Sequence, residues 1–346
     1  MKEIEKKKLW IFIAVAYGVA YAMNIVMIIG FKKDYDLSTC IATQMMYPAC
    51  GVILGKLIFA KEEKELPKAG FITILVSSLI MVIMSLLSIV FYIKPLNIGG
   101  VNVDIWYTAL SVVIMISSVA AYILFWTCGK EKRINAGLQR SSIGLSIVYT
   151  IVFVILLFVL EFLYVYLKDM FCNTNENMNN IMAILSESKT WMTFAMLPLN
   201  FFLSWIAFFG EEYGWRYYLQ PLMQEKMGKR LGVIALGLVW AVWHLGADFM
   251  YYTKDSGVQM FVSQIITCVA IAVFMGYAYM KTNNIWMVAF MHFLNNNIAA
   301  VIKGGGTDSL QNQVITWPGV LAHLIAAVVF LVFIFAPIYG QNKQEE

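Results

Sequence analysis

Apolar stretches of roughly membrane-spanning length recur along almost the whole chain, separated by short polar segments. A helix needs about 20 residues to cross the hydrocarbon core of a bilayer, which is about 30 Å thick. The pattern predicts an all-α polytopic membrane protein with about ten transmembrane helices. The predicted spans are residues 9–30, 38–60, 70–93, 105–128, 142–167, 190–210, 231–247, 258–280, 285–302 and 317–338.

The beginning of the chain has two interpretations. Lys6, Lys7 and Lys8 precede an apolar run that ends at Gly30, as in a secretory signal peptide. That run is longer than the usual apolar core of about 7–15 residues. We therefore favour a retained first transmembrane helix.

Composition supports the membrane interpretation. With 60% hydrophobic and only 13% charged residues, the chain differs strongly from a soluble domain. We expect membrane lipids around it and no nucleic-acid partner. The five cysteines have no CxxC spacing, which argues against a zinc site or a disulfide framework built on cysteine.

Basic residues predict the orientation, because cytoplasmic loops carry an excess of Lys and Arg. Placing the N-terminus in the cytoplasm puts most of the 25 Lys and Arg residues in cytoplasmic loops. We expect a multi-pass protein of the cell membrane with both termini cytoplasmic. The Asn-rich segment 168–189 shows no apolar periodicity and is predicted to be a mobile connection on the outside.

The most unusual stretch is Gly210-Glu211-Glu212-Tyr213-Gly214-Trp215-Arg216, which directly follows an apolar run. Ionisable residues in membrane segments are functional candidates. On a helix, Glu212 and Arg216 would form an i,i+4 pair, whereas Glu211 would point about 100° away. The simplest interpretation is a neutralised pair beside a glutamate that acts on something. The alternative is a charge cluster at the edge of a cytoplasmic loop.

Two glycines flank Glu211 in the same stretch. Gly210 and Gly214 have the small-xxx-small spacing. This spacing predicts that a second helix approaches the backbone closely beside Glu211.

All three histidines lie in or near apolar spans. His292 and Asn296 are i and i+4, so a helix would place them on one face. His244 shares a helical stripe with Trp240, and Asp248, one turn further on, could orient its ring. The alternative role for each histidine is hydrogen-bonded packing, which is what we expect for His323 in the last span.

A carboxylate, two imidazoles and a carboxamide supply what peptide hydrolysis by water requires. A general base takes a proton from water, and neutral donors stabilise the oxyanion. Glu211, His244 and His292 also resemble a zinc ligand set with an open water position. The HExxH spacing of soluble zinc proteases is absent, so both chemistries stay open.

These motifs resemble those of the CaaX-processing and bacteriocin-processing (CPBP, or Abi) family of intramembrane proteases, which includes the type 2 CaaX prenyl endopeptidases. The resemblance covers about residues 205–300. It implies that Glu211 and His244 activate water, that His292 and Asn296 form the oxyanion site, and that Glu212 and Arg216 are a supporting pair. Tyr217 departs from the pattern, because glycine is common there. The motifs are Glu211-Glu212-x-x-x-Arg216, Trp240-x-x-x-His244 and His292-x-x-x-Asn296.

The resemblance implies an intramembrane endopeptidase that cleaves a membrane-associated peptide or a lipidated protein. We favour a mechanism without a required cofactor, with zinc as the alternative. The predicted regions are accessory N-terminal transmembrane helices at 1–189, a protease-like core at 190–302, and the last helix with a cytoplasmic tail at 303–346.

Two other functions compete with this one. A non-catalytic immunity or sensor protein would bind a peptide in the same cleft, and a transporter would use Glu211, His244 and Glu161 to relay protons. The sequence shows no clear internal repeat, which many transporter folds carry, and this argues against the transporter.

The predicted spans leave one inconsistency. With about 1.5 Å of rise per residue, His244 lies about 20 Å from Leu231 and His292 about 10 Å from Ile285. The two imidazoles would then differ in depth. We expect residues 217–237 to remain at the membrane interface for longer than the predicted span implies.

Overall fold

The structure is a computed structural model that describes residues 3–61, 64–98, 101–305 and 310–340. Helices dominate, and one short antiparallel hairpin joins β1 (Leu96–Ile98) to β2 (Val101–Val103). The first helices are α1 (Glu3–Ile13), a π-helix (Ala14–Val19), α2 (Ala20–Lys32), α3 (Ser38–Gln44), α4 (Tyr47–Ile58), α5 (Lys68–Val90), α6 (Ile105–Thr127), α7 (Lys130–Asn135), α8 (Ile143–Cys172) and α9 (Glu176–Ser186). They are followed by α10 (Ser188–Glu212), a second π-helix (Tyr213–Leu219), α11 (Gln220–Met227), α12 (Lys229–Trp243), α13 (Leu245–Met250), α14 (Gly257–Thr282), α15 (Ile285–Ile302), α16 (Trp317–Ala326), α17 (Val328–Leu331), a 3₁₀-helix (Val332–Phe335) and α18 (Pro337–Gly340).

The chain is an all-α polytopic membrane protein, as the apolar pattern predicted. Nine helical segments within the described ranges are long and apolar enough to cross a membrane. The count is nine and not about ten because residues 231–247 do not form a helix of spanning length. There, α12 has only 15 residues, a length of about 22 Å.

Backbone contacts divide the chain into two compact units. Unit 1 comprises residues 1–140 and 199–217, and unit 2 comprises residues 141–198 and 218–346. The glutamate motif therefore belongs to unit 1, together with the N-terminal helices. Both histidine motifs belong to unit 2.

In unit 1, buried hydroxyl groups connect the helices. Side-chain hydrogen bonds join Thr39 to Ser88 at 2.9 Å and Thr43 to Ser85 at 2.8 Å, which links α3 to α5. A third bond, from Ser77 of α5 to Ser117 of α6, measures 2.6 Å. Small hydroxyl residues suit helix contacts in a membrane, because they permit close approach and still form hydrogen bonds.

In unit 2, α14 is the central helix. Its buried residue Phe274 packs against Phe153 of α8 and Phe330 of α17, with ring centroids 5.5 Å away in both contacts. Tyr339 near the end of the described chain donates a hydrogen bond of 2.6 Å to the carbonyl oxygen of Val273. These contacts attach the last helices to α14.

The prediction of a mobile connection at 168–189 is wrong. The segment is largely helical, because α8 extends to Cys172 and α9 begins at Glu176. The Asp169 carboxylate caps α9 by accepting hydrogen bonds from the backbone N–H groups of Asn177 and Met178, at 3.3 and 2.8 Å. This contact satisfies backbone donors at the helix N-terminus that have no partner within the helix. The predicted cytoplasmic tail ends in residues 341–346, outside the described residues.

Candidate active site

The glutamate motif lies where α10 passes into the second π-helix. Nη1 of Arg216 lies 3.0 Å from Oε1 of Glu212, and both side chains are 0% exposed. The i,i+4 pair expected from helical spacing is therefore formed. Burying either charge without the other would be strongly destabilising. The ion pair compensates the two buried charges of the motif.

Glu211 is also buried, with 2% of its surface exposed. Its Oε2 atom accepts a long hydrogen bond of 3.4 Å from the indole nitrogen of Trp215. This contact was not among the sequence predictions, although the i,i+4 spacing of Glu211 and Trp215 was a sufficient signal.

Gly210 and Gly214 permit the close backbone approach that their spacing predicted. A Cβ atom on Gly210 would collide with the carbonyl oxygen of Met45, and one on Gly214 would collide with Pro48. The approaching segment is the junction between α3 and α4. This junction packs closely against the helix that carries Glu211.

Two stacked tyrosines follow the glutamates. The rings of Tyr213 and Tyr217 lie 4.5 Å apart with an angle of 2° between their planes. The Tyr213 hydroxyl donates a 2.8 Å hydrogen bond to the carbonyl oxygen of Ala136. Tyr217 occupies the position where glycine is common in the family that the motifs resemble. Its ring packs against Gly137, where a side chain would obstruct it.

In unit 2, His244 follows the last residue of α12, where the helix tightens. Its backbone N–H bonds the carbonyl of Ala241, three residues back, at 2.9 Å. The carbonyl oxygen of Trp240 meets the imidazole ring instead, and Nδ1 of His244 lies 2.9 Å from it. Because a carbonyl only accepts, Nδ1 carries the proton. The lone pair of the neutral ring then lies on Nε2.

The prediction that Asp248 orients the His244 ring is wrong, because the Trp240 carbonyl does so. Within the described part of the chain, neither carboxylate oxygen of Asp248 has a hydrogen-bond partner. Asp248 lies in α13, outside the nine candidate spans. Burial raises the pKa of Asp248 to about 8, so this carboxyl group is protonated at neutral pH.

Trp240 connects the two catalytic candidates of unit 2. Its ring centroid lies 5.8 Å from that of His244 and 5.5 Å from that of His292. The aromatic wall predicted for His244 is therefore present and is shared by His292. The two imidazoles therefore lie against the same indole. The expected position of residues 217–237 at the membrane interface stays a prediction.

Asn296 lies one turn after His292 on α15, as the spacing predicted. Its Oδ1 atom accepts a 3.0 Å hydrogen bond from Nδ2 of Asn295. This contact uses the amide oxygen of Asn296 and does not involve the two N–H donors of its N–H₂ group. A neutral N–H donor is the kind of group that stabilises an oxyanion.

The third histidine has a different environment within unit 2. Nε2 of His323 lies 3.4 Å from Oγ1 of Thr267. Its ring contacts the ring of Tyr164 edge-on, with centroids 5.8 Å apart. These contacts match the packing role expected for His323.

Metal binding would require several ligands around one point. In residues 3–61, 64–98, 101–305 and 310–340, no three His, Cys, Asp or Glu side chains are grouped so that they could hold one metal ion. The alternative zinc set would draw Glu211 from unit 1 and His244 and His292 from unit 2. It stays a prediction, to be tested by metal removal.

Comparison with known proteins identifies one family. Residues 191–298 match the model of the Rce1-like family, described as type II CAAX prenyl endopeptidase Rce1-like. The match confirms the resemblance predicted from the motifs and covers about a third of the chain. No curated protein and no solved structure matches the chain.

Proposed function

We propose that this multi-pass membrane protein is an intramembrane endopeptidase that hydrolyses a peptide bond in a membrane-associated peptide or lipidated protein. One observation carries the proposal. The region that matches a family of prenyl endopeptidases, residues 191–298, contains all four proposed catalytic residues. Those residues are Glu211, His244, His292 and Asn296.

In the proposed mechanism Glu211 and His244 activate water. The Glu211 carboxylate takes a proton from the water molecule as its oxygen attacks the carbonyl carbon of the scissile bond. The Nε2 lone pair of His244, which follows from the donation by Nδ1 to the Trp240 carbonyl, accepts a hydrogen bond from the same water. Collapse of the tetrahedral intermediate breaks the C–N bond, and the proton passes from Glu211 to the leaving amine.

His292 and Asn296 stabilise the oxyanion in this proposal. Both stand on α15 one turn apart, so their donors point to the same side of the helix. The hydrogen bond from Asn295 to Oδ1 of Asn296 is compatible with this role, because it uses the amide oxygen and not the N–H₂ donors. Neutral donors held in place before the reaction stabilise charge that develops in the transition state.

Glu212 and Arg216 support the catalytic glutamate without touching the substrate. Their buried ion pair neutralises the second carboxylate of the motif. This leaves Glu211 as the base. The proposed steps use only side chains and water, and zinc held by Glu211, His244 and His292 is the alternative that metal removal tests.

The proposed substrate is held at the membrane by its own apolar segment or by a lipid. A prenylated C-terminal segment is the first choice, because the family description names prenyl endopeptidases. Membrane lipids are the remaining partners, and no nucleic acid is involved. From the distribution of basic residues we propose a cell-membrane location with both termini in the cytoplasm.

Comparative mass spectrometry of membrane peptides from cells with wild-type or Glu211→Gln protein tests the proposal. A substrate should accumulate intact in the variant and appear as two fragments with the wild type. Glu225→Gln, at an exposed glutamate of α11, is the matched control and should process like wild type. The purified protein can be tested in parallel with a farnesylated CAAX peptide whose fluorescence is quenched until the peptide is cleaved.

Two other outcomes of this experiment would contradict the proposal. Continued cleavage by Glu211→Gln would refute the glutamate mechanism. A cellular phenotype that survives in Glu211→Gln without any accumulated peptide would instead favour a non-catalytic immunity or sensor protein.

A further inference from the structure

The buried indole of Trp215 contacts the glutamate that the proposed mechanism uses as its base. Its Nε1 atom lies 3.4 Å from Oε2 of Glu211, and the Trp215 side chain is fully buried. Because an indole nitrogen only donates, the carboxylate is the acceptor. We propose that Trp215 is a positioning residue that holds the Glu211 carboxylate for reaction. This inference rests on the proposed function, in which Glu211 takes the proton from water.

The first helix of the chain holds the Trp215 indole in turn. Phe12 of α1 meets the indole edge-on, with ring centroids 5.7 Å apart and an angle of 90°. Tyr17 meets it at 6.0 Å and 68°. These two contacts approach the indole from a segment that lies outside the matched region 191–298.

Phe12 is itself held firmly. It is completely buried, and Gly51 of α4 lies against its backbone. A Cβ atom on Gly51 would lie 3.0 Å from Cα of Phe12, so the missing side chain permits this close packing. The chain of contacts therefore runs from α4 through Phe12 and Trp215 to Glu211.

Both partners of one of these ring contacts lie in π-helices. Tyr17 belongs to the π-helix Ala14–Val19, and Trp215 belongs to the π-helix Tyr213–Leu219. Single π-helical turns within α-helices frequently occur at functional sites, where the extra residue alters the direction of the side chains. The contact between two such turns is consistent with a role in orienting the Trp215 indole.

The chemical consequence concerns the rate of the reaction and not the binding of substrate. A base must be held near the productive geometry to reach the water proton efficiently. Trp215 would restrict the Glu211 carboxylate through one donor. The N-terminal helices, predicted to be accessory, would then contribute to catalysis through Phe12 and Tyr17.

Kinetics with matched tryptophan variants test the role. Trp215→Phe keeps an aromatic ring but removes the N–H donor. Trp205→Phe is the control, because Trp205 is buried in the same unit and its Nε1 donates a 3.0 Å bond to the Ser118 carbonyl, not to Glu211. With the farnesylated CAAX peptide, Trp215→Phe should lower kcat about ten-fold, the loss expected for one hydrogen bond to a charged group, and leave KM unchanged. Trp205→Phe should keep kcat within about two-fold of wild type, since it removes no contact to the base.

A double-mutant cycle tests the chain of contacts. Phe12→Leu should lower kcat in the wild-type background but have no further effect in Trp215→Phe. Such non-additivity is expected when two residues act through the same contact. Thermal stability of all variants in detergent separates this effect from general loss of packing.

Nuclear magnetic resonance tests the hydrogen bond without any substrate. In protein labelled with ¹⁵N-tryptophan, the indole resonances of Trp215 and Trp205 can be assigned from the two Phe variants. Glu211→Gln replaces the charged acceptor by a neutral one, so the Trp215 indole proton should move upfield while that of Trp205 stays in place.

An unmoved Trp215 resonance would overturn the inference, as would a Trp215→Phe variant whose kcat equals that of Trp205→Phe. These failures differ from failure of the proposed function. If Glu211→Gln cleaves as well as wild type, the proposed base is wrong. If Glu211→Gln is inactive and Trp215→Phe is fully active, only the positioning role is wrong.

Discussion

Nδ1 of His244 lies 2.9 Å from the carbonyl oxygen of Trp240, which stands four residues earlier, in α12. This relationship determines the tautomer of the ring without any help from a carboxylate. It also means that the group which orients the imidazole belongs to the backbone and remains in every variant of Trp240. The proposed catalytic atom of His244 is therefore Nε2.

The first prediction compares two histidines of unit 2. His244→Ala should abolish processing while the protein remains folded in detergent, because it removes the Nε2 acceptor. His323→Leu, which loses the Thr267 and Tyr164 contacts, should keep activity within a few-fold. Peptide cleavage and size-exclusion chromatography measure both properties. An equal loss in the two variants would mean that the last span contributes to the site.

The second prediction concerns the oxyanion donors. Asn296→Ala should raise the barrier by about 2.7–4 kcal/mol and leave KM nearly unchanged, because the donor acts only on the developing charge. Asn297→Ala is the control, since its Nδ2 atom bonds the Phe293 carbonyl at 2.8 Å. Steady-state kinetics should show no more than a few-fold change in kcat for the control. A large rise in KM for Asn296→Ala would point to substrate binding instead.

The third prediction addresses metal dependence. If Glu211 and His244 act on water directly, activity should survive metal removal that is verified by elemental analysis. If instead Glu211, His244 and His292 hold zinc, stripping should abolish turnover and added zinc should restore it, because bound zinc lowers the pKa of its water to about 7. Inhibition by a chelator is not sufficient, since chelators also occupy apolar clefts. One tightly bound zinc per active chain, required for turnover, would refute the metal-free mechanism.

The fourth prediction uses the buried carboxyl of Asp248. Its pKa is raised from 3.8 to about 8 in the folded protein. Between these values the folded state keeps a proton that the unfolded state has lost. Stability should therefore fall by about 1.4 kcal/mol per pH unit as the pH rises from about 4 to about 8.

Asp248→Asn removes this titration. In melting curves recorded from about pH 5 to about pH 8, the range between the two pKa values, the variant should gain stability relative to wild type as the pH rises. Asp248→Leu also lacks the titrating group and should show the same trend. Parallel curves for wild type and both variants would contradict the assigned pKa.

The fifth prediction concerns helix packing beside Glu211. Gly214→Ala should destabilise the protein by about 1–3 kcal/mol, because the added methyl group overpacks the contact with Pro48. Gly144→Ala in α8 is the control, since a Cβ atom added there would have no neighbour within 4 Å. Thermal unfolding in detergent should place Gly144→Ala at or slightly above wild type. Equal melting temperatures for the two variants would show that the close approach is not required.

Local spacing in the sequence determined several features of this protein. The Glu212–Arg216 pair, the shared face of His292 and Asn296, and the close approach at Gly214 all follow from helical periodicity. Residues three or four apart on a helix are neighbours whatever surrounds them. The long apolar stretches likewise determined the polytopic class, because their length matches the thickness of a bilayer.

Only the tertiary structure decided where the helices end and which contacts form beyond those that helical spacing predicts. The tight turn at His244 brings the Trp240 carbonyl to the ring, so Asp248 is not needed to orient it. Asp169 near the end of α8 caps α9, and most of the predicted loop is helical. Phe12 reaches Trp215 across about two hundred residues of sequence. Such contacts depend on packing between distant segments, which no local period encodes.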